Sequence, residues 1–406
     1  MTKQTSISKR WWILATGVFT MLFAGIIYAW SILKVPYAAN FGFDASALAM
    51  NFTLTMSFFC IGGFLSSQLV RRIGTQLTII IAGVLAGIGF ILAPIVGTAN
   101  SFALYITYAF MGGLGIGMAY IVIISTVNAW FPDRKGLSSG TLMMGFGAST
   151  LILGNLADAF FKSSLGFKNT YVLIGLALGV VIPLSSLIIK APTANTPLPA
   201  PKKKATAKAA AFEAKDYKPS EMIKRFTFWR AFVALICLTA VGSSVISFAR
   251  DLALSVGAET ALATTLVGVL AICNGLGRII TGAVFDAMGQ KFTMIAASAF
   301  TVVAAATTLV AVNINSLALM IVGLCLTGIS YGTAPTISSA FTATFYGQKY
   351  FAANLSISNF NLMAASFIAT ACSALLTASG GYAAPFILLL ALSGTSLILN
   401  FTIKKP

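Results

Sequence analysis

Apolar runs of eighteen residues or more recur along the chain, separated by short polar interruptions. They lie at 11–33, 46–69, 76–97, 102–130, 137–160, 171–189, 227–248, 260–284, 290–312, 316–341, 352–377 and 383–403. Each is long enough to cross a hydrocarbon core about 30 Å thick as an α-helix. The pattern predicts an all-α membrane protein with twelve transmembrane helices. An even number of crossings places both termini on one side. One stretch, Lys190–Lys218, breaks the rhythm with Pro192, Pro197, Pro199, Pro201 and the run Lys202–Lys204. Such a composition reads as a largely disordered tether. The chain therefore divides into an N-terminal six-helix bundle (1–190), a basic linker (191–225) and a C-terminal six-helix bundle (226–406). Ser220–Trp229 reads as a short amphipathic lead-in to span seven.

The two halves repeat. The 2–3 loop, Ser67-Gln-Leu-Val-Arg71-Arg72-Ile-Gly74, has a counterpart 215 residues on, Gly282-Ala-Val-Phe-Asp286-Ala-Met-Gly289. The 4–5 loop, Phe131-Pro-Asp133-Arg134-Lys135, matches Phe345-Tyr-Gly347-Gln348-Lys349 at an offset of 214. Two unrelated loops sharing nearly one offset argue for duplication of a six-helix unit. Two such bundles facing across an axis normal to the membrane form the parallel-repeat arrangement of rocker-type transporters.

Composition narrows the picture. The chain is 58% hydrophobic and 9% charged, against about 25% charged residues in soluble domains. Lys9 and Arg10 lead directly into Trp11–Leu33, which is too long for the apolar core of a signal peptide and lacks a small-residue cleavage site. The net charge of +17 could suggest nucleic acid, but its placement argues otherwise. Of 26 basic residues, 21 fall in the termini, the linker and the loops on their side. Lys34, Lys162, Lys168 and Arg250 fall on the other side, and Arg278 is the remaining one. This bias orients both termini to the cytoplasm, within a plasma or inner membrane, and suits the anionic inner leaflet. Lipid is thus the expected partner of the basic loops, nucleic acid is not expected, and a monomer is.

Histidine is absent, which removes imidazole relays, imidazole metal ligands and Ser-His or Cys-His catalysis. Cys60, Cys237, Cys273, Cys325 and Cys372 all fall within apolar spans without paired spacing, so they read as free thiols used as small apolar residues. No phosphate loop, metal cluster or nucleophile constellation is present. Neither an enzyme nor a cofactor is expected, and ATP hydrolysis by this chain cannot drive uphill movement. Gly113/Gly115/Gly117 and Gly275/Gly277 mimic a dinucleotide motif, but no strand precedes them. Close helix packing is the reading for both sets.

Arg278 is the residue the chain turns on. It lies inside span eight, eight residues before Asp286, which begins the next loop. At about 1.5 Å per residue that is roughly 12 Å, near the middle of the core. A charge there costs about 3 kcal/mol or more on insertion scales, and usually faces a wet cavity, an anion or a polar partner. Asn274 is four residues earlier, on the same helix face. It can orient the guanidinium without cancelling its charge. The planar fork of a guanidinium suits a carboxylate bidentately.

Further residues resemble the major facilitator superfamily, and within it the oxalate/formate antiporter family and the related monocarboxylate transporters. Span one carries Gly25-Ile-Ile-Tyr28-Ala-Trp30-Ser31, and span four carries Gly113-Leu-Gly115-Ile-Gly117-Met-Ala-Tyr120. The most family-specific run is Asn128 to Gly140, NAWFPDRKGLSSG. Phe228-Trp229, Arg250-Asp251 and Arg278 also match. The resemblance implies that Arg278 holds the substrate carboxylate, and that Tyr28, Tyr120 and Tyr331 occupy aromatic cavity positions. Packing aromatics remain the alternative for the tyrosines. Asn359 and Asn361 serve either cavity lining or helix–helix hydrogen bonding.

Three departures shape the expectation. The superfamily loop motif carries an acidic residue at the place of Arg71 and glycine at Ser67, so only the second copy, with Asp286, is intact. Oxalate carriers have a second cation in span eleven, where registration on Asn354 gives Leu362 here. Animal-type monocarboxylate transporters have an acid four residues before the arginine, here Asn274, and a lysine late in span one, two positions before Lys34. No proton-coupling group is identified. Asp133, Arg134, Lys135, Arg71 and Arg72, with Asp286, are expected to form inter-helix ion pairs that differ between conformers. Asp158 reads as interfacial. The expected function is alternating-access movement of a small carboxylate of the lactate, pyruvate or formate class, with protons as co-substrate. Dicarboxylate-for-monocarboxylate exchange and a non-transporting carboxylate sensor are the rivals.

Overall fold

The computed structural model of the chain describes residues 3–133, 135–193, 196–199, 216–347 and 349–403. Every regular element among them is helical. In hydrocarbon no water is available to backbone N–H and C=O groups, so uninterrupted apolar segments satisfy them internally as helices. The spans are α1 (Lys9–Leu33), α2 and α3 (the arms 45–73 and 75–92 of Ala45–Leu92), α4 (Ser101–Trp130), α5 (Ser138–Lys162) and α6 (Gly166–Ser185). The second half contributes α7 (Phe226–Ser255), α8 (Thr260–Phe285), α9 (Gln290–Asn313), α10 (Leu317–Tyr346), α11 (Ala353–Ser379) and α12 (Ala383–Thr402). With Ala45–Leu92 divided at Gly74, the described residues hold twelve helices of crossing character in two six-helix repeats. The start of α1 lies by the loop between α4 and α5, and the end of α12 by the start of α7, at one face, here the terminal face.

Arms α2 and α3 are continuous in hydrogen bonding except at Gly74, whose φ of 83° and ψ of 169° turn the chain sharply. Its repeat partner Gly289 adopts φ 79° and ψ 176° between α8 and α9. Only glycine occupies that region without a large penalty. The duplication read from loop spacing is therefore written into the backbone as well.

Contacts between the halves follow the same symmetry. Helix α5 packs on α8, and α2 packs on α11, pairs that exchange when each helix is replaced by its repeat. Glycines set the distances. A Cβ on Gly117 of α4 would lie 2.0 Å from the Phe59 carbonyl oxygen of α2, and one on Gly115 would lie 2.5 Å from the Ala86 nitrogen of α3. Small residues drive association where lipid tails remove the ordinary hydrophobic force.

Regular helix is interrupted in the helices that meet at the centre. In α1, Gly25–Ala29 is a 3₁₀ turn. In α4, Tyr105–Gly113 is π-helical, as is Thr150–Gly154 in α5. Such segments mark hinges and re-aimed side chains. Residue Tyr28 sits in the first of them.

The linker differs from a free tether where it is described. Leu198 packs on the hydrophobic core. The Tyr217 amide donates to the Tyr346 carbonyl at 3.0 Å, and Asn354 Nδ2 donates to the Tyr217 carbonyl at 2.9 Å. Residues 200–215, with Lys202–Lys204, lie outside the described residues. The lead-in to α7 is one short helix, Pro219–Met222, separated from Phe226–Ser255, because Met222 is buried while Ile223 and Phe226 are exposed.

Gly74→Ala and Gly289→Ala should each cost about 1–3 kcal/mol, because an added Cβ is strained in that conformation. Thermal unfolding in detergent checks this. Both variants should melt several degrees lower, whereas Gly282→Ala, a helical position with nothing within 4 Å of the added Cβ, should hold or gain stability.

Candidate functional site

The site begins with how closely α8 and α10 approach. A Cβ on Gly277 would lie 2.1 Å from the Ile329 carbonyl oxygen, and one on Gly332 would lie 2.1 Å from the Asn274 carbonyl oxygen. This contact fixes Arg278 on α8 beside Tyr331 on α10. A Cβ on Gly242 of α7 would strike the Tyr331 ring at 2.2 Å, so that glycine leaves the ring its space.

Arg278 is 3% exposed and faces the protein interior rather than lipid. Its Nε donates to Asn274 Oδ1 at 3.1 Å. Nη1 is buried without a hydrogen-bond acceptor, and Asn274 Nδ2 is a second buried donor without one. The phenols of Tyr120, Tyr28 and Tyr331 lie within electrostatic reach of the guanidinium. No salt bridge reaches it among the described residues. Buried donors ordinarily find partners, and Arg278 Nη1 and Asn274 Nδ2 are two such donors side by side on α8 with none among the described residues.

The tyrosines come from both halves. Tyr28 of α1 and Tyr331 of α10 have hydroxyls 3.5 Å apart and ring centroids at 5.9 Å. Tyr120 of α4 meets Phe59 and Phe146 at 5.1 Å each, and Tyr28 also lies 5.1 Å from Phe146. An aromatic enclosure with polar tips thus closes one side of Arg278.

The other side is open. A cavity of about 730 Å³ runs from Arg278 toward the terminal face between α4, α5, α8 and α10. Asn128, Thr141, Thr336 and Thr344 line it, and Lys349 stands at its mouth. The volume falls within the usual range for small-molecule sites.

Thus the structure brings together all five residues singled out for substrate: Arg278, Asn274, Tyr28, Tyr120 and Tyr331. The gating set behaves differently. Asp133 bonds Arg10 Nη1 at 2.7 Å, and the Arg10 guanidinium lies 4.9 Å from the Phe131 ring. Both partners belong to the N-terminal half, so relative movement of the halves does not break this pair. Arg71 and Arg72 are exposed and make no ion pair among the described residues. Arg134 lies outside the described residues, as do the side chains of Lys135 and Asp286. Asp158 pairs with Lys162 at 2.6 Å along its own helix. Asn361 accepts from Thr239 at 3.1 Å and donates to the Ser358 carbonyl, which makes it a helix–helix contact.

Sequence reasoning passed over Phe59 and Phe146. A signal for the second was present. Phe146 is flanked by Gly145 and Gly147, whose added Cβ atoms would lie 2.7 Å from the Val18 carbonyl oxygen of α1 and 2.8 Å from the Ala271 carbonyl oxygen of α8. A bulky ring between two glycines in a span marks a side chain inserted where three helices converge.

Among the described residues two helical bundles meet around a central cavity, the architecture of a membrane transporter. Solved structures agree on the fold. The xylose transporter XylE of Escherichia coli, in a partially occluded inward-open conformation, superposes with a TM-score of 0.72 over 97% of this chain and 98% of that one, at 12% identity. A D-xylose-proton symporter gives 0.71 over 99% and 98%, at 14% identity. The sequence profile of the Major Facilitator Superfamily matches residues 13–370, and the chain belongs to that family. Similar curated proteins include an uncharacterized MFS-type transporter of E. coli, YhjX, 25% identical over 88% of this chain and 86% of that one. An oxalate:formate antiporter of Oxalobacter formigenes is 25% identical over 84% and 80%. Monocarboxylate transporter 2 of Mus musculus is 30% identical over 33% and 27%.

Gly332→Ala should force α8 and α10 apart and displace Arg278 from Tyr331. Overpacking of this kind costs about 1–3 kcal/mol. The expected outcome is a lower melting point together with at least a tenfold rise in the transport KM, measured beside Gly381→Ala, where the added Cβ meets nothing within 4 Å.

Proposed function

We propose that the chain carries a small monocarboxylate, of the lactate, pyruvate or formate class, across the cytoplasmic membrane by alternating access. The observation behind this reading is the Arg278 guanidinium: buried, oriented by Asn274, and without an acidic partner among the described residues. A carboxylate docking on it gains a charge-assisted, fork-shaped contact and occupies the idle Nη1 and Asn274 Nδ2 donors. Phenol hydroxyls address the polar head, and the rings of Phe59 and Phe146 suit a short apolar tail. The empty site is positive, and an anion must neutralise it before the halves close over it, which links occupancy to conformational change. With both termini cytoplasmic, as the basic loops imply, the cavity faces inward.

One cation matches one carboxylate. Leu362 occupies the place where oxalate carriers have a lysine, and it is a buried apolar side chain. A second carboxylate would be buried without compensation, at a cost of several kcal/mol. The similarity to an oxalate:formate antiporter favours a second reading, exchange of a dicarboxylate for a monocarboxylate. Lys349, which lines the cavity, would then supply a second cation on the terminal side.

Truncating one member of a buried charge pair costs about 2–5 kcal/mol. Arg278→Ala should therefore lower counterflow of labelled lactate or pyruvate in proteoliposomes by at least thirtyfold at normal membrane insertion. Arg278→Lys, which keeps the charge but loses the fork, should fall between. Near-normal flux in Arg278→Ala overturns the reading. For coupling, an imposed gradient acidic outside should drive accumulation of the monocarboxylate in empty vesicles. Obligatory exchange against internal formate or oxalate, indifferent to pH gradient, supports the antiporter.

A further inference from the structure

Closure of the face opposite the termini is built from bonds that cross between the halves. Nearest the site is the Tyr28–Tyr331 hydroxyl contact. Further along, Thr53 of α2 donates to the Ser366 carbonyl of α11 at 2.6 Å and meets the Thr370 hydroxyl. Outermost, Lys34 just beyond α1 bonds Asp251 of α7 at 2.7 Å and the Ser247 carbonyl at 3.3 Å. Of the salt bridges among the described residues, Arg10–Asp133 and Lys162–Asp158 lie within the N-terminal half, and Lys34–Asp251 alone joins the two. What space remains beside it, between Trp30, Leu48 and Ser373, is about 50 Å³, against about 730 Å³ on the terminal side.

We propose that Lys34 and Asp251 are the lock of the opposite-face gate: their ion pair holds the conformer that is open to the terminal face, and breaking it is a required step in exposing Arg278 to the other side. The geometry supports a lock rather than a static brace. Lys34 follows directly on α1, whose 3₁₀ turn at Gly25–Ala29 carries Tyr28. Asp251 follows Phe248, where α7 leaves helical geometry with φ −132° and ψ 19°. Both partners therefore sit beyond breaks in the helices that reach the site, and α1 and α7 are repeat equivalents. The Lys34 side chain is 17% exposed and that of Asp251 41%, so the pair forms at the rim of the seal and separates into water without stranding a charge. A wholly buried pair would resist opening far more strongly. The lock acts whatever the cargo is, and its failure would leave the carboxylate reading of Arg278 untouched.

Spin labels on non-canonical residues at Ser164 and Ala378, exposed positions of the two halves at this face, report its opening and leave the native cysteines in place. Double electron–electron resonance on the reconstituted full chain should show mainly a short distance. Lys34→Gln and Asp251→Asn should each raise the ratio of long- to short-distance populations about threefold, the scale expected of a half-exposed pair. The charge swap Lys34→Asp with Asp251→Lys should return the ratio toward the starting value. If the swap does not fold, Lys34→Arg, which keeps the pair, decides by contrast with Lys34→Gln. Unchanged distances in both single variants, or a swap or Lys34→Arg no closer to the parent than the singles, overturns the lock.

Discussion

An uncompensated guanidinium inside a membrane protein is costly, and the central part of this structure is the means by which that cost is carried. Asn274, one helical turn earlier on α8, accepts a hydrogen bond from Nε and fixes the plane of the fork. Three phenols contributed by α1, α4 and α10 lie near it. The cavity below opens toward the terminal face. None of these groups removes the charge. An acid four residues before the arginine would have neutralised the site, whereas the amide orients it and leaves it positive.

Geometry at this level depends on small residues elsewhere. Gly277 and Gly332 bring α8 and α10 into backbone contact, and Gly242 gives Tyr331 its place. The same helices carry the inter-half contacts, so the site and the moving surfaces are parts of one construction. Closure is asymmetric. The cross-half bonds described here run from the level of the tyrosines out to Lys34–Asp251, while a wide cavity leads the other way. An anion on Arg278 would therefore sit beneath a sealed roof, at the floor of an open vestibule.

Much of the architecture was legible in the chain because membrane helices leave a strong signature: long apolar runs, and basic loops on alternate turns. The 215-residue offset between loops proved to be a matched pair of left-handed glycines, Gly74 and Gly289. Arg278 and Asn274 were legible because a cation in a span demands explanation. Phe59 and Phe146 were not, since an aromatic residue in an apolar helix looks the same whether it faces lipid, core or cavity. The partners of Asp133 and Lys34 were not legible from loop position alone. Loop membership says which face a charge occupies, but not whether its partner lies in the same half, as for Asp133, or across the interface, as for Lys34.

The account rests on recognition of negative charge by Arg278, and matched neutral ligands probe that most directly. Isothermal titration of the purified protein with lactate and with lactamide, nearly equal in size and shape, isolates the carboxylate. The account predicts measurable binding of lactate, none of lactamide at tenfold higher concentration, and loss of lactate binding in Arg278→Gln. Equal affinity for acid and amide, or lactate binding that survives Arg278→Gln, would contradict it.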